Sequence, residues 1–182
     1  MSPRNILFFA FIFILKFSFG QNESINIHVD HYKTKTFDVA IFPANSLDLI
    51  PGKRFTPTRQ EIDSAEYSLK TELKKLNVAF INQTSSPIIH KKLNKYKRQY
   101  FGYYNLEGEK ILLINCIWLR DEEYNKNWLS NMIIVLDGGS YYWHVYFNLR
   151  KGLLFDLSIN GYAYKNEIKN KRHLTCLQPQ QN

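Results

Sequence analysis

The chain has 182 residues, 45% hydrophobic and 15% aromatic, and 24 Lys and Arg against 16 Asp and Glu give a formal net charge of +8. That length suits one domain with ample material for a packed core, and it excludes a chain too polar to bury one. The basic excess is moderate: it reads as a Lys-rich surface suited to anionic surfaces or acidic partners, and no nucleic acid is expected as partner.

The amino terminus stands apart. Ile6 to Leu15 is a short apolar run preceded by Arg4 and followed by Ser18-Phe19-Gly20. Small residues at Ser18 and Gly20 fit a signal-peptidase site, so residues 1–20 read as a signal peptide and the mature chain begins near Gln21. A spanning helix needs about 20 apolar residues, and Lys16 interrupts any extension through Phe17 and Phe19. No Cys follows the run, so neither a lipid anchor nor a membrane anchor after cleavage is expected. Taking Arg4 and Lys16 from the 24 basic residues leaves 22 against 16 acidic, a net +6.

Residues 21–54 read as an arm with weak strands: Ile25, Ile27 and Val29 alternate, and Phe37 to Phe42 is a second apolar run. Pro43, Pro51 and Gly52 then break the chain. Thr58 and Glu61 fit a capping box, in which each side chain answers an orphan backbone N–H of the first turn. Ile62, Ala65, Leu69, Leu73 and Leu76 follow as one apolar stripe, predicting a helix from Thr58 to Leu76. Glu66 and Lys70 read as an i,i+4 pair on its exposed side. Ile88 to Tyr96 reads as a short helical turn or irregular chain. Arg98 to Asn105 and Lys110 to Leu119 read as paired strands turning through Leu106-Glu107-Gly108-Glu109. The second is almost wholly apolar and predicts a central strand covered on both faces. Arg120 to Trp128 reads as a polar loop.

Asn131 to Gly161 reads as three strands joined by turns at Asp137-Gly138-Gly139-Ser140 and Arg150-Lys151-Gly152. Alternation puts Tyr141, Trp143, Val145, Phe147 and Leu149 on one face, and Tyr142, His144, Tyr146 and Asn148 on the other. On the next strand, Leu153, Phe155, Leu157 and Ile159 oppose Leu154, Asp156, Ser158 and Asn160. Residues 165–182 read as a charged tail. The expected fold is α+β, with one long helix packed on a curved antiparallel sheet of about five strands in a domain spanning 55–164. No βαβ alternation is read.

Lys95-Tyr96-Lys97-Arg98-Gln99-Tyr100-Phe101-Gly102, Gly108-Glu109-Lys110-Ile111 with Ile114-Asn115-Cys116, and Asp137-Gly138-Gly139 followed by Asp156 to Gly161 resemble segments of small exported proteins of Bacteroidetes-type bacteria. The resemblance covers roughly the carboxy-terminal half and implies export without implying an activity. By analogy of architecture alone, the order of helix then sheet is similar to cystatin-like and NTF2-like folds, which host inhibitors, carriers and enzymes alike.

The candidate ligand site is the polar-aromatic face carrying Tyr142, His144 and Tyr146, with Asp156 and Ser158 on the neighbouring strand. The competing reading is a solvated face with ordinary cross-strand pairs. A triad of Cys116, His144 and Asp156 can be drawn, but a thiol inside an apolar strand is inert, and no catalytic residue is assigned. His28, Asp30 and His31 form a conceivable metal cluster that reads better as a polar stretch; no metal or cofactor is expected. The interleaved Lys and aromatic residues from His90 to Tyr104 read as a solvated loop leading into a strand. Cys116 and Cys176 are either bridged, pinning the tail to the sheet, or separate, with Cys116 a buried thiol. These features describe an exported, non-enzymatic binding domain for a protein or small ligand, with a hydrolase or lyase on the polar face, or an inhibitor or immunity-type protein, as alternatives. Intact mass of the protein recovered from an exporting host should match a chain beginning near Gln21; retention of residues 1–20 would replace the signal with an anchor.

Overall fold

The computed structural model describes residues 28–46, 52–119 and 122–161. The expected signal peptide, the arm up to residue 27, the charged tail and Cys176 lie outside the described residues. The rest is α+β, with one seven-stranded mixed sheet. The strands are β1 (Asp30–Lys33), β2 (Asp38–Ile41), β3 (Arg54–Phe55), β4 (Lys97–Tyr104), β5 (Lys110–Ile117), β6 (Tyr142–Asn148) and β7 (Leu153–Ile159). Helix α1 (Arg59–Leu76) lies between β3 and β4, and a six-residue α2 (Glu122–Asn127) between β5 and β6. The order across the sheet is β1-β2-β4-β5-β6-β7, with β3 on the edge of β4.

Two expectations of the sheet are corrected. It has seven strands rather than about five: residues 131–136 supply none, while β1 and β2, from residues read as an arm, and the short β3 are added. It is also not wholly antiparallel: β2 runs parallel to β4, with Val39, Ala40 and Ile41 opposite Arg98, Gln99 and Tyr100. A parallel pair needs a long crossover, and here the connection carries α1. The sequence of β2 fits that position, since Val39 to Phe42 are buried throughout, as strands covered on both sides are. β3 takes up the β4 edge beyond β2. There a Cβ at Gly102 would lie 2.6 Å from the Phe55 carbonyl oxygen, so only glycine admits this approach.

Helix α1 has 18 residues, about five turns, and is not the long helix expected. Its capping box is present, with the Glu61 N–H donating to Thr58 Oγ1 and the Thr58 N–H to Glu61 Oε2. Ile62, Ala65, Leu69 and Leu73 are buried against Trp143, Val145 and Phe147 of β6, so the expected stripe and apolar sheet face do meet. β5 is central and covered on both faces, with Ile111 to Ile114 buried.

The second sheet face is covered too. Phe42, Phe101, Leu113 and Ile117 form a separate core with Trp128 and Ile133, and Tyr142 and Tyr146 pack against it. Residues 131–136, expected to supply a strand, form none; with the turn at 128–130 before them they cross this face as an irregular strap, residues 128–137. Sheet amides hold it. Gln99 Nε2 donates to the carbonyls of Trp128 and Asn131 at 2.7 Å each, and Gln99 Oε1 accepts from the Ile133 N–H at 2.9 Å and from Asn115 Nδ2 at 3.0 Å. Both donors and both acceptor positions of this fully buried amide are therefore used. Asn115 also donates to the Ile133 carbonyl, and Asn160 to those of Val135 and Asp137. The strap spends its backbone groups on these side chains instead of on a strand ladder, which is why alternation misread it.

Gln99→Leu strands several buried polar groups at once, each worth about 1–3 kcal/mol. We expect a loss of about 3 kcal/mol in chemical denaturation and faster hydrogen exchange at Ile133, with β4–β5 amides still protected. Uniform loss of protection would mean that the strap and the sheet unfold together.

Candidate functional site

The expected site face is only partly assembled. His144 lies opposite Ser158 in register, and its ring meets Tyr146 edge-on at 5.8 Å. Tyr146 stacks on Phe155 at 5.6 Å and packs edge-on to Tyr103 at 6.2 Å. Tyr142 and Tyr146 are half-buried in the core beneath the strap. Asp156 drops out of the alternation of this face, although its charge still acts on Tyr103. A bulge sets Asp156 and Leu157 together against Val145, and Asp156 takes a left-handed φ of 49°. Asp156 instead lines a cleft of about 300 Å³ beside Phe80 and Ile81, beyond the end of α1.

The same bulge shifts the alternation by one residue. Leu154, rather than Phe155, joins Leu157 and Ile159 on the helix side. Burial holds the His144 imidazole below its ordinary value, with no carboxylate acting on it. A general base needs an orienting partner, and Asp156 is not placed as one.

Cys116 points into the helix-side core and is fully buried, whereas His144 lies on the other side of the sheet. Burial pushes its thiol up, so the drawn triad has neither the geometry nor the thiolate. Cys116 has no disulfide partner among the described residues. His28, Asp30 and His31 do not form a ligand cluster either: Asp30 pairs with Arg59 at 2.8 Å and His31 with Asp38 at 2.6 Å. Among the described residues, no group of three or more His, Cys, Asp or Glu is set to hold a metal. In the basic-aromatic run, Tyr96, Tyr100 and Phe101 are buried while Lys91, Lys92 and Lys95 are exposed, so the aromatics serve the core.

The better candidate lies on the opposite flank. A cleft of about 450 Å³ opens between α1, the turn leading into β2, and the start of β4. Asp63, Glu66, Tyr67 and Lys70 line it from one flank of the helix, and Lys35, Thr36 and Phe37 from the turn. Leu93 and Asn94 close it from a 3-10 turn, and Arg98 lines it from β4.

Glu66 and Arg98 make this cleft unusual, being 7% and 1% exposed. Tyr100 Oη donates to Glu66 Oε1 at 2.7 Å. Arg98 Nε lies 3.4 Å from the same oxygen, within ion-pair range but not aligned for a hydrogen bond. Arg98 Nη2 donates to the Leu93 carbonyl at 2.8 Å, and Nη1 has no protein acceptor. Burial holds the Glu66 carboxyl above the usual carboxylate range, outweighing the Arg98 charge and the Tyr100 hydroxyl.

Glu66 corrects the reading of an exposed pair with Lys70: it is buried and answers Arg98 instead. The signal was in the spacing. Ile62, Glu66, Leu69 and Leu73 are separated by 4, 3 and 4, so Glu66 sits on the apolar stripe. Arg98 shares its strand face with Tyr100 by simple alternation.

No protein-family model matches the chain, and neither do any curated protein or solved structure.

A carboxyl held high contributes stability that is full below the ordinary carboxylate value and is lost as pH rises through the raised value. Arg98→Met removes the cation that opposes this shift. It should cost about 3 kcal/mol at neutral pH, and the loss should shrink on acidification as Glu66 takes up a proton. Glu66→Leu with Arg98→Met should fall within about 1 kcal/mol of the parent. Denaturation curves across pH check both; a loss independent of pH would assign Arg98 a packing role only.

Proposed function

We propose that the protein is an exported, non-enzymatic binding domain whose ligand occupies the cleft between α1 and β4. The observation that carries this reading is the buried Arg98–Glu66 pair on the cleft lining, with Arg98 Nη1 lacking a protein acceptor. Buried charges cost stability unless fully answered, so a fold that keeps an incompletely answered guanidinium beside a cleft suggests a use for it. The lining mixes apolar walls, Phe37, Leu93 and the Tyr67 ring, with a few convergent charges, the usual make-up of a ligand site.

The hydrolase or lyase reading, centred on Tyr142, His144, Tyr146 and Asp156, has less support. The strap packs over Tyr142 and Tyr146, and the bulge turns Asp156 toward another cleft. An inhibitor or immunity-type role would use a protein partner in place of a small ligand.

Amide-resolved NMR against a mixed library of neutral, cationic and anionic fragments tests the reading. Hits should cluster at residues 35–37, 63–70 and 93–98. Clustering at 142–158 would return the site to the other face, and no hits anywhere would favour a protein partner.

A further inference from the structure

The cleft's charges specify more than its position. Lys35, Lys70 and Arg98 set three cations against the two carboxylates Asp63 and Glu66, so the lining is one negative charge short of neutrality. The charges are unequally placed. Lys35, Lys70 and Asp63 are exposed at the rim, whereas Arg98 is buried and keeps Nη1 and the poorly aligned Nε without a hydrogen-bonded acceptor. Its Nη2 is already held by the Leu93 carbonyl, which fixes the plane of the guanidinium. Nη1 is therefore the donor left for an incoming anion, and a monocarboxylate meets less repulsion from the Glu66 charge beside it than a dianion would. The apolar part of the lining is Phe37, Leu93 and the exposed Tyr67 ring, so the body attached to the anion meets apolar surface. A volume of about 450 Å³ suits a small metabolite and is too small for a folded partner.

Building on the binding reading above, we propose that the cleft takes a small organic monocarboxylate with an aliphatic or aromatic body. Its carboxylate is held by Arg98 with help from the rim lysines Lys35 and Lys70, and its body lies between Phe37, Leu93 and Tyr67. Arg98 Nη1 is covered before the ligand arrives, so entry requires side chains of the lining to swing aside. The recognition is charge-assisted, so replacing the carboxylate by an amide of the same shape removes most of it.

The test is a titration of the protein, followed by NMR, with monocarboxylates running from butanoate through decanoate and from benzoate to phenylpropionate. Each is paired with its primary amide, and inorganic phosphate is titrated separately. At least one carboxylate should shift the amides of residues 35–37, 63–70 and 93–98 and the Arg98 Nε–H signal, binding about tenfold or more tightly than its amide. That preference should vanish in the Glu66→Leu/Arg98→Met variant, which is expected to stay folded, and should weaken in Lys70→Gln. Amides that bind the cleft as well as their carboxylates would overturn the anion assignment and leave the binding site standing. Phosphate binding as tightly as any carboxylate would overturn the apolar body. If neither carboxylates nor amides shift the cleft, both this inference and the reading beneath it fall.

Discussion

A sheet whose central strands are apolar on both faces must be covered twice, and most of this architecture follows from that constraint. β4 and β5 place Tyr100, Ile114 and Cys116 on one side and Phe101, Leu113 and Ile117 on the other. The helix stripe covers the first side. Among the described residues no helix of comparable length covers the second, and the strap of residues 128–137 does so instead, with Trp128 and Ile133 buried, Ile134 and Leu136 facing out, and backbone groups tied to Gln99, Asn115 and Asn160. An irregular segment laid over a core must satisfy its peptide groups somehow. Here the side-chain amides of Gln99 and Asn115 in the sheet and of Asn160 just past β7 do so, and a polar side chain on an apolar strand becomes a structural necessity.

The legible parts of the fold were those written in local pattern. The capping box, the stripe Ile62 to Leu73, the apolar β5 and the hairpin β6–β7 each follow from spacing alone. What escaped was set by contacts distant in sequence. Nothing near Phe37 to Phe42 announces that it will lie parallel to residues some sixty positions on, and Asn131 to Leu136 has the composition of a strand without the ladder of one. The bulge at Asp156 was equally hidden, because aspartate in a strand pattern carries no sign of a left-handed backbone, yet one such residue moved a candidate side chain away from His144.

The candidate site illustrates the same limit. Glu66 and Arg98 were visible as charges, yet Glu66 reads as half of an exposed pair and Arg98 only as the start of a strand, because charged side chains are rarely buried. Their burial is mutual: either alone would be an uncompensated charge in the core, and only the approach of α1 to β4 makes the pair tolerable. Two residues 32 positions apart had to be considered together before either could be read.

The parallel pairing of β2 with β4 carries a kinetic consequence. The hairpins β4–β5 and β6–β7 join neighbours in sequence, whereas docking β2 closes a loop that contains β3 and α1. Non-local closures of this kind are slow, because chain entropy is lost before contacts compensate it. Until β2 arrives, the β4 edge from Arg98 to Tyr100 is unpaired and open to other chains. The turn bearing Lys35 to Phe37, which immediately precedes β2, is also one wall of the cleft. The cleft is therefore completed by a non-local step of folding, and anything that binds there favours the state in which that step is closed.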